Sequence, residues 1–269
     1  MTHNVQSTSP RNKVTVGISR RLPLTPGSTI FCDFDGPLVD VSDRYYSTYQ
    51  QALTALATDH IAQGLRIHLR RLSKVEFWRM KQNRMGDRMI AQWSGLEGQQ
   101  IDAFLDRVQQ IVNQPSLLHQ DCLQPHVKQA IQGLKVQGVR IVLVTLRQQD
   151  QVLEILRAHH LDHAISCVYG ATERDAAYCN HADHKTALLQ TAISAQQSDG
   201  FITHNAWMIG DTEADILAGQ SLGIPTLALT CGIRSETYLK RYGPTAICHD
   251  LRSAVDFLLP ICQLTLQFA

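Results

Sequence analysis

The sequence predicts an α/β protein: a Rossmann-like, doubly wound parallel sheet with a small all-helical domain inserted after its first strand. Three observations predict it. Short apolar runs alternate with helix-length stretches beyond residue 120, two apolar runs far apart in the chain break off in carboxylates, and residues 42–119 carry helical periodicity without a strand pattern.

The strands expected are residues 28–32, 139–144, 165–169, 206–209, 226–229 and 246–248, with helices over 125–137, 148–160, 184–196 and 212–222. Strands separated by helices of this length pair in parallel, with both sheet faces covered. Gly138 and Gly223 stand where helix ends favour a left-handed residue. Within the insertion, helices are expected over 42–58, 61–71, 73–85 and 99–112, and Ser73 and Glu76 have the spacing of a capping box. The chain thus divides into a flexible leader (1–27), a core (28–41 and 120–269) and a helical cap (42–119).

The run Ile30-Phe31-Cys32 delivers Asp33 and Asp35 to a carboxyl edge, the place where open α/β sheets bind ligands. Strand alternation would send the two side chains to opposite faces unless the chain turns after Asp33, and Gly36-Pro37 supplies the turn. A second run, Trp207 to Gly210, ends in Asp211, and Asp215 follows one helical turn later. If those strands are neighbours, three carboxylates converge and repel one another. A divalent cation relieves the repulsion, and hard oxygen ligands favour Mg²⁺ over Zn²⁺.

Four features in order, Asp33-Phe34-Asp35-Gly36, the Thr145 that closes the apolar run 139–144, the helix-opening Lys185, and Gly210-Asp211-Thr212-Glu213-Ala214-Asp215, resemble the motifs of the haloacid-dehalogenase-like (HAD) hydrolase superfamily. The particular resemblance is to its phosphoglycolate-phosphatase and β-phosphoglucomutase branch. It implies a phosphatase for a small phosphorylated metabolite, with Asp33 as the nucleophile that forms an aspartyl-phosphate and Asp35 as general acid and base. It also implies Mg²⁺ held by Asp33, the backbone carbonyl of Asp35 and Asp211, with Asp215 in support, and Thr145 and Lys185 on the phosphate. The residue chemistry agrees: a carboxylate can attack phosphorus, a second one can move the leaving-group proton if its neighbours hold its pKa high, and a hydroxyl and an ammonium suit phosphoryl oxygens. A phosphomutase would use the same core. A silent binding module would show loss of the nucleophile or metal acid, and this chain keeps both.

Each residue also has an ordinary role open to it, since aspartates at strand ends form turns and caps, and Asp40 can simply brace its loop. Pro37, Leu146 and His184 depart from the residues commonest in the branch, and Leu146-Arg147 places non-standard side chains beside the phosphate. Eight Lys/Arg against two acids between Arg66 and Arg88 read either as a solvated face or as a substrate selector. In the second case Lys81, Arg84 and Arg88, on one helical face, hold another anion of the substrate. Arg44, Arg147 and the loop after Gly170 are the next place to look for specificity. The pair His181 and His184 reads as a loop and helix start rather than a metal site.

A chain of 269 residues, 44% hydrophobic, with net charge +1, can bury a large core but offers no global field to steer nucleic acid or a membrane surface. Seven scattered cysteines without paired spacing suit reduced thiols in a cytoplasmic protein, monomeric or homodimeric. The acid-free leader lacks the apolar stretch of a secretory signal and leaves an organellar transit segment open as the alternative address.

Overall fold

The structure, a computed structural model, describes residues 24–173 and 176–259 and the backbone of residues 15–16. Its strands are Thr15–Val16 (β1), Ser28–Cys32 (β2), Val39–Asp40 (β3), Cys122–Leu123 (β4), Arg140–Gln148 (β5), Cys167–Ala171 (β6), Ile202–Gly210 (β7), Thr226–Leu229 (β8) and Ala246–Cys248 (β9). Six of them form a parallel sheet in the spatial order β6-β5-β2-β7-β8-β9, and β1 adds an antiparallel edge beside β9. The leader expected over residues 1–27 lies mostly outside the described residues; β1 falls within it.

Within this sheet the strand order reverses between β2 and β7, the crevice at which doubly wound folds bind ligands. Alternation along the buried strands sorts the core. Ile30, Cys32, Ile141, Leu143, Trp207 and Ile209 face one layer, made by helices Val127–Val136 (α6), Gln149–Ala158 (α7) and Leu251–Leu258 (α12). Phe31, Val142, Val144, Ala206 and Met208 face the other, made by Ala182–Ser198 (α9) and Glu213–Ser221 (α10). Asp33 continues the alternation of Phe31, which turns its carboxylate toward α9 and α10.

Between β3 and β4, which pair as a short neck, lie helices Ser42–Ala62 (α1), Lys74–Gln82 (α2), Asp87–Trp93 (α3), Gln99–Ile111 (α4) and Pro115–Leu118 (α5). The Ser73–Glu76 capping box forms as its spacing predicts: Ser73 Oγ accepts from Glu76 N–H at 3.2 Å, and Glu76 accepts from Ser73 N–H at 2.8 Å. Two helix expectations need correction. The helix expected over 61–71 is not there: α1 runs on to Ala62, the chain turns at Gly64 (φ 75°), and residues 65–73 are irregular. Side chains satisfy that stretch, with Tyr49 Oη accepting from Leu72 N–H and Tyr46 Oη donating to Leu72 O, each at 2.9 Å. The helix expected over 73–85 stops at Gln82, and Arg84 takes a left-handed conformation (φ 60°). Lys81, Arg84 and Arg88 therefore do not share one helical face.

Candidate active site

Just beyond β2 the chain reverses through Phe34–Val39, where Leu38 N–H and Val39 N–H both reach Phe34 O, at 3.0 and 3.2 Å. Gly36 makes the reversal possible. It has φ 93°, and a Cβ there would overlap the Asp211 carboxylate. Asp33 N–H is fixed by Ile209 O at 2.8 Å, so the ends of β2 and β7 present Asp33 and Asp211 side by side. Asp40 braces the loop, its carboxylate accepting from Ser42 N–H at 2.8 Å.

Asp33, Asp211 and Asp215 are buried, and each contributes an oxygen to a cluster in which all lie within 4.8 Å of one another. Lys185 Nζ, 1% exposed, bridges Asp33 Oδ1 at 2.8 Å and Asp215 Oδ1 at 2.9 Å and donates to Val144 O at 3.0 Å. Asp215 also accepts from Thr212 Oγ1 at 2.7 Å. Asp211 Oδ2 accepts from Ile233 N–H at 2.6 Å, but its Oδ1 is buried without a hydrogen-bond partner. Three carboxylates thus face one ammonium, leaving the cluster two positive charges short. That deficit, the orphaned oxygen and the all-oxygen donor set fit a divalent cation. Among the described residues no other group of potential metal ligands gathers in this way, and His181 and His184 meet edge to face.

The charges move the proton affinities accordingly. Burial, with help from Asp215 and against Lys185, pushes the Asp33 carboxyl up to about 7, and burial with Asp215 and Asp33 raises Asp211 well above the usual carboxylate range. Burial would lower the Lys185 ammonium, but Asp215 and Asp33 outweigh it and raise it.

Asp35 does not join that cluster. Its side chain turns to the opposite side, where Arg147 Nη1 meets Oδ1 at 2.9 Å and Arg44 Nη2 meets Oδ2 at 3.2 Å. The buried Asp121, just before β4, ties the two guanidiniums together, at 2.9 Å to Arg44 Nε and 2.7 Å to Arg147 Nη1. Burial pushes the Asp35 carboxyl up, but Arg147 and then Arg44 overcome it and hold the carboxyl below its usual range. The sequence suggests neighbours that keep this group ready to donate a proton, whereas the two guanidiniums beside it favour the carboxylate. Thr145, 1% exposed, sits two residues before Arg147, its hydroxyl accepting from Arg147 N–H at 3.2 Å.

A cavity of about 60 Å³ lies over these groups, lined by Asp33, Asp35, Thr145, Arg147 and Asp211 from the sheet edge and by Tyr45, Lys81 and Arg84 from the helical insertion. Of the three cap cations expected to act together, Lys81 pairs with Asp87 at 2.8 Å and Arg84 with Glu213 at 2.8 Å, while Arg88 pairs with the exposed Asp102 at 2.7 Å and does not line the cavity. The sequence reading missed Asp121, Glu213, Tyr178 and Arg234. The signal for Arg234 was its place after the apolar run 226–229, in the loop that also caps Asp211.

Comparison with known proteins agrees with the geometry. The profile of the haloacid dehalogenase-like hydrolases matches residues 30–229, and the chain belongs to that family. Among curated relatives it is similar to the pyrophosphatase PpaX of Bacillus cereus (strain Q1), 21% identical over 87% of this chain and 95% of the relative. The match to PpaX of Halalkalibacterium halodurans is 24% identical and spans 52% of this chain but only 62% of that protein. Among solved structures, a haloacid dehalogenase-like hydrolase from Streptococcus pneumoniae shares the fold with TM-score 0.61 at 20% identity, covering 85% of this chain and 97% of that one. So does a protein described as a predicted phosphoglycolate phosphatase from Haemophilus somnus, with TM-score 0.59 at 20% identity over 85% and 96% of the two chains.

Proposed function

We propose that this hydrolase is a Mg²⁺-dependent phosphatase that releases inorganic phosphate from a small phosphate compound through an aspartyl-phosphate on Asp33. One observation carries the reading: Asp33, Asp211 and Asp215 gather within 4.8 Å of one another at the topological switch point, with one buried ammonium that pairs with Asp33 and Asp215 only. The names of the relatives, pyrophosphatase and phosphoglycolate phosphatase, point to the same reaction class.

Asp33 would attack phosphorus as the bond to the leaving oxygen breaks, and water would then attack the aspartyl-phosphate and return the carboxylate. Lys185, fixed by Asp215 and Val144 O, keeps Asp33 oriented and offers charge to the phosphoryl oxygens. Thr145 retains its hydroxyl proton for one of those oxygens. Asp35, held as a carboxylate, suits the second step, in which it takes the proton of the attacking water. Mg²⁺, held by Asp33, Asp211 and the Asp35 carbonyl, would offset the negative charge shared by nucleophile and phosphate. Residues 42–119 would act as the cap that excludes water.

Phosphate release from p-nitrophenyl phosphate should require Mg²⁺, cease with EDTA and vanish in Asp33→Asn, which keeps the shape but not the nucleophile. Acid-quenched wild type should yield a peptide phosphorylated on Asp33. Full turnover by Asp33→Asn would rule the mechanism out.

A further inference from the structure

Among the described residues, the buried polar side chains that line the cavity are all engaged, with one exception. Asp33 pairs with Lys185, Asp211 with Ile233 N–H, Thr212 with Asp215, Thr145 with Arg147 N–H, Arg147 with Asp35, and Arg234 with Glu213. What these leave over is already assigned: Asp211 Oδ1 to the cation and the Thr145 proton to a phosphoryl oxygen. The exception is Tyr45. The residue is only 9% exposed, yet its hydroxyl has no hydrogen-bond partner among the described residues, where a buried tyrosine ordinarily finds one. Unlike Asp211 Oδ1, the Tyr45 oxygen is not sealed from solvent.

Its place is fixed from two sides. Tyr45 stands in the first turn of α1, directly after Arg44, whose guanidinium holds Asp35 and Asp121. The ring centre lies 5.5 Å from Lys81 Nζ, and Lys81 is itself held by Asp87 at 2.8 Å. In-line displacement by Asp33 sends the leaving oxygen away from the sheet edge, toward the wall that the insertion builds with Tyr45, Lys81, Arg84 and Met85. Burial outweighs the neighbouring Arg44 and pushes the Tyr45 hydroxyl up to about 12. The group therefore keeps its proton and offers both a donor and an acceptor. Being neutral, it tells ligands apart by hydrogen bonding and not by charge.

We propose that Tyr45 is a specificity-determining residue that hydrogen-bonds an uncharged oxygen of the leaving group, so that the enzyme favours phosphate esters of alcohols carrying a further hydroxyl over esters of plain alkyl alcohols. The inference rests on the phosphatase reading of the same site and adds what lies beyond the phosphate. A site built to hydrogen-bond a substrate hydroxyl rejects the analogue that lacks it, because the analogue buries the protein's own hydroxyl without a partner.

The test compares matched esters in which a terminal methyl replaces a terminal hydroxyl: hydroxyethyl phosphate against propyl phosphate, and hydroxypropyl phosphate against butyl phosphate, all with Mg²⁺. In wild type the hydroxylated member of at least one pair should have the higher kcat/KM, by about tenfold or more, and the pair that shows it gives the reach from the ester oxygen. Tyr45→Phe deletes one oxygen and keeps the ring beside Lys81. It should bring that ratio to within about twofold of unity, through loss on the hydroxylated member. Where circular dichroism shows that Tyr45→Phe has lost the fold, Tyr45→Leu carries the same comparison. A residue that only packs would lower both members alike. Such equal losses with the ratio unmoved, or wild-type ratios near unity in both pairs while p-nitrophenyl phosphate is hydrolysed, would overturn the proposal. A wild type that releases phosphate from none of these compounds would instead remove the phosphatase reading, and the proposal with it.

Discussion

Asp33 carries two demands that pull against each other: burial makes its carboxyl hold a proton, while nucleophilic attack needs the anion. The proposed cation reconciles them, and the reconciliation is measurable. With its pKa near about 7 in the metal-free protein, Asp33 is mostly protonated below that pH, and each Mg²⁺ bound must displace that proton. Mg²⁺ affinity by calorimetry should therefore fall by about tenfold per pH unit for each site carboxyl that is protonated, dropping below pH 7 and, because the Asp211 carboxyl is raised as well, still rising above it. Equal affinity at about pH 6 and about pH 8 would mean that Asp33 is already ionised without the metal. Asp35 poses the opposite case, a carboxyl held ionised by Arg147 and Arg44 although burial opposes it. A leaving group that needs a proton should thus be handled poorly, and removing a guanidinium should help. Arg147→Met should raise the Asp35 pKa and with it the ratio of glycerol 2-phosphate to p-nitrophenyl phosphate turnover, by up to about tenfold for each unit gained. An unchanged ratio would deny Asp35 the acid role.

At the scale of elements, what could be read from the sequence was whatever the backbone period or a motif encodes locally. The six parallel strands were legible because each is a short apolar run bounded by turn residues, and Asp33 and Asp211 were legible because each breaks such a run at its carboxyl end. Thr145 and Lys185 could be assigned only through motif order, and the structure brings Lys185 to 2.8 Å from Asp33. The helix expected over 61–71 failed because its amphipathic pattern said nothing of two tyrosine hydroxyls, on α1, that hold Leu72 in irregular chain. The stripe of Lys81, Arg84 and Arg88 failed similarly, since a helix that stops at Gln82 cannot carry a face to residue 88. Asp121, Glu213 and Arg234 were illegible for a different reason. Buried ion pairs join residues far apart in sequence, such as Arg44 and Asp121 across the whole insertion, and no local pattern distinguishes such a charge from a solvated one.

For the whole molecule, the small cavity exists because the insertion is seated on the sheet edge at two places. On one side is the neck, where Arg44 on α1 reaches Asp35, Asp121 and Val112 O. On the other, Tyr178 of the core donates to Asp87 of the insertion, Arg234 donates to Lys81 O, and Ser235 N–H donates to Gln82 O at 2.9 Å. The neck carries the chain connections, so the second side is the one that must release to admit substrate. The outermost of its polar contacts, Arg84 to Glu213, is half-exposed and contributes at most about 1 kcal/mol. Tyr178→Phe removes the hydroxyl that reaches Asp87 while keeping the ring beside Lys81, so it should weaken closure without touching phosphorus or metal ligands. Because closure contributes to the binding of every substrate alike, KM should rise by a similar factor for all phosphate compounds, about ten- to a hundredfold for one lost hydrogen bond to a charged group. Small-angle scattering should show a larger radius of gyration in the variant. A KM that rises for one substrate alone would place Tyr178 in recognition instead, and an unchanged KM with unchanged scattering would show that the insertion stays seated without it.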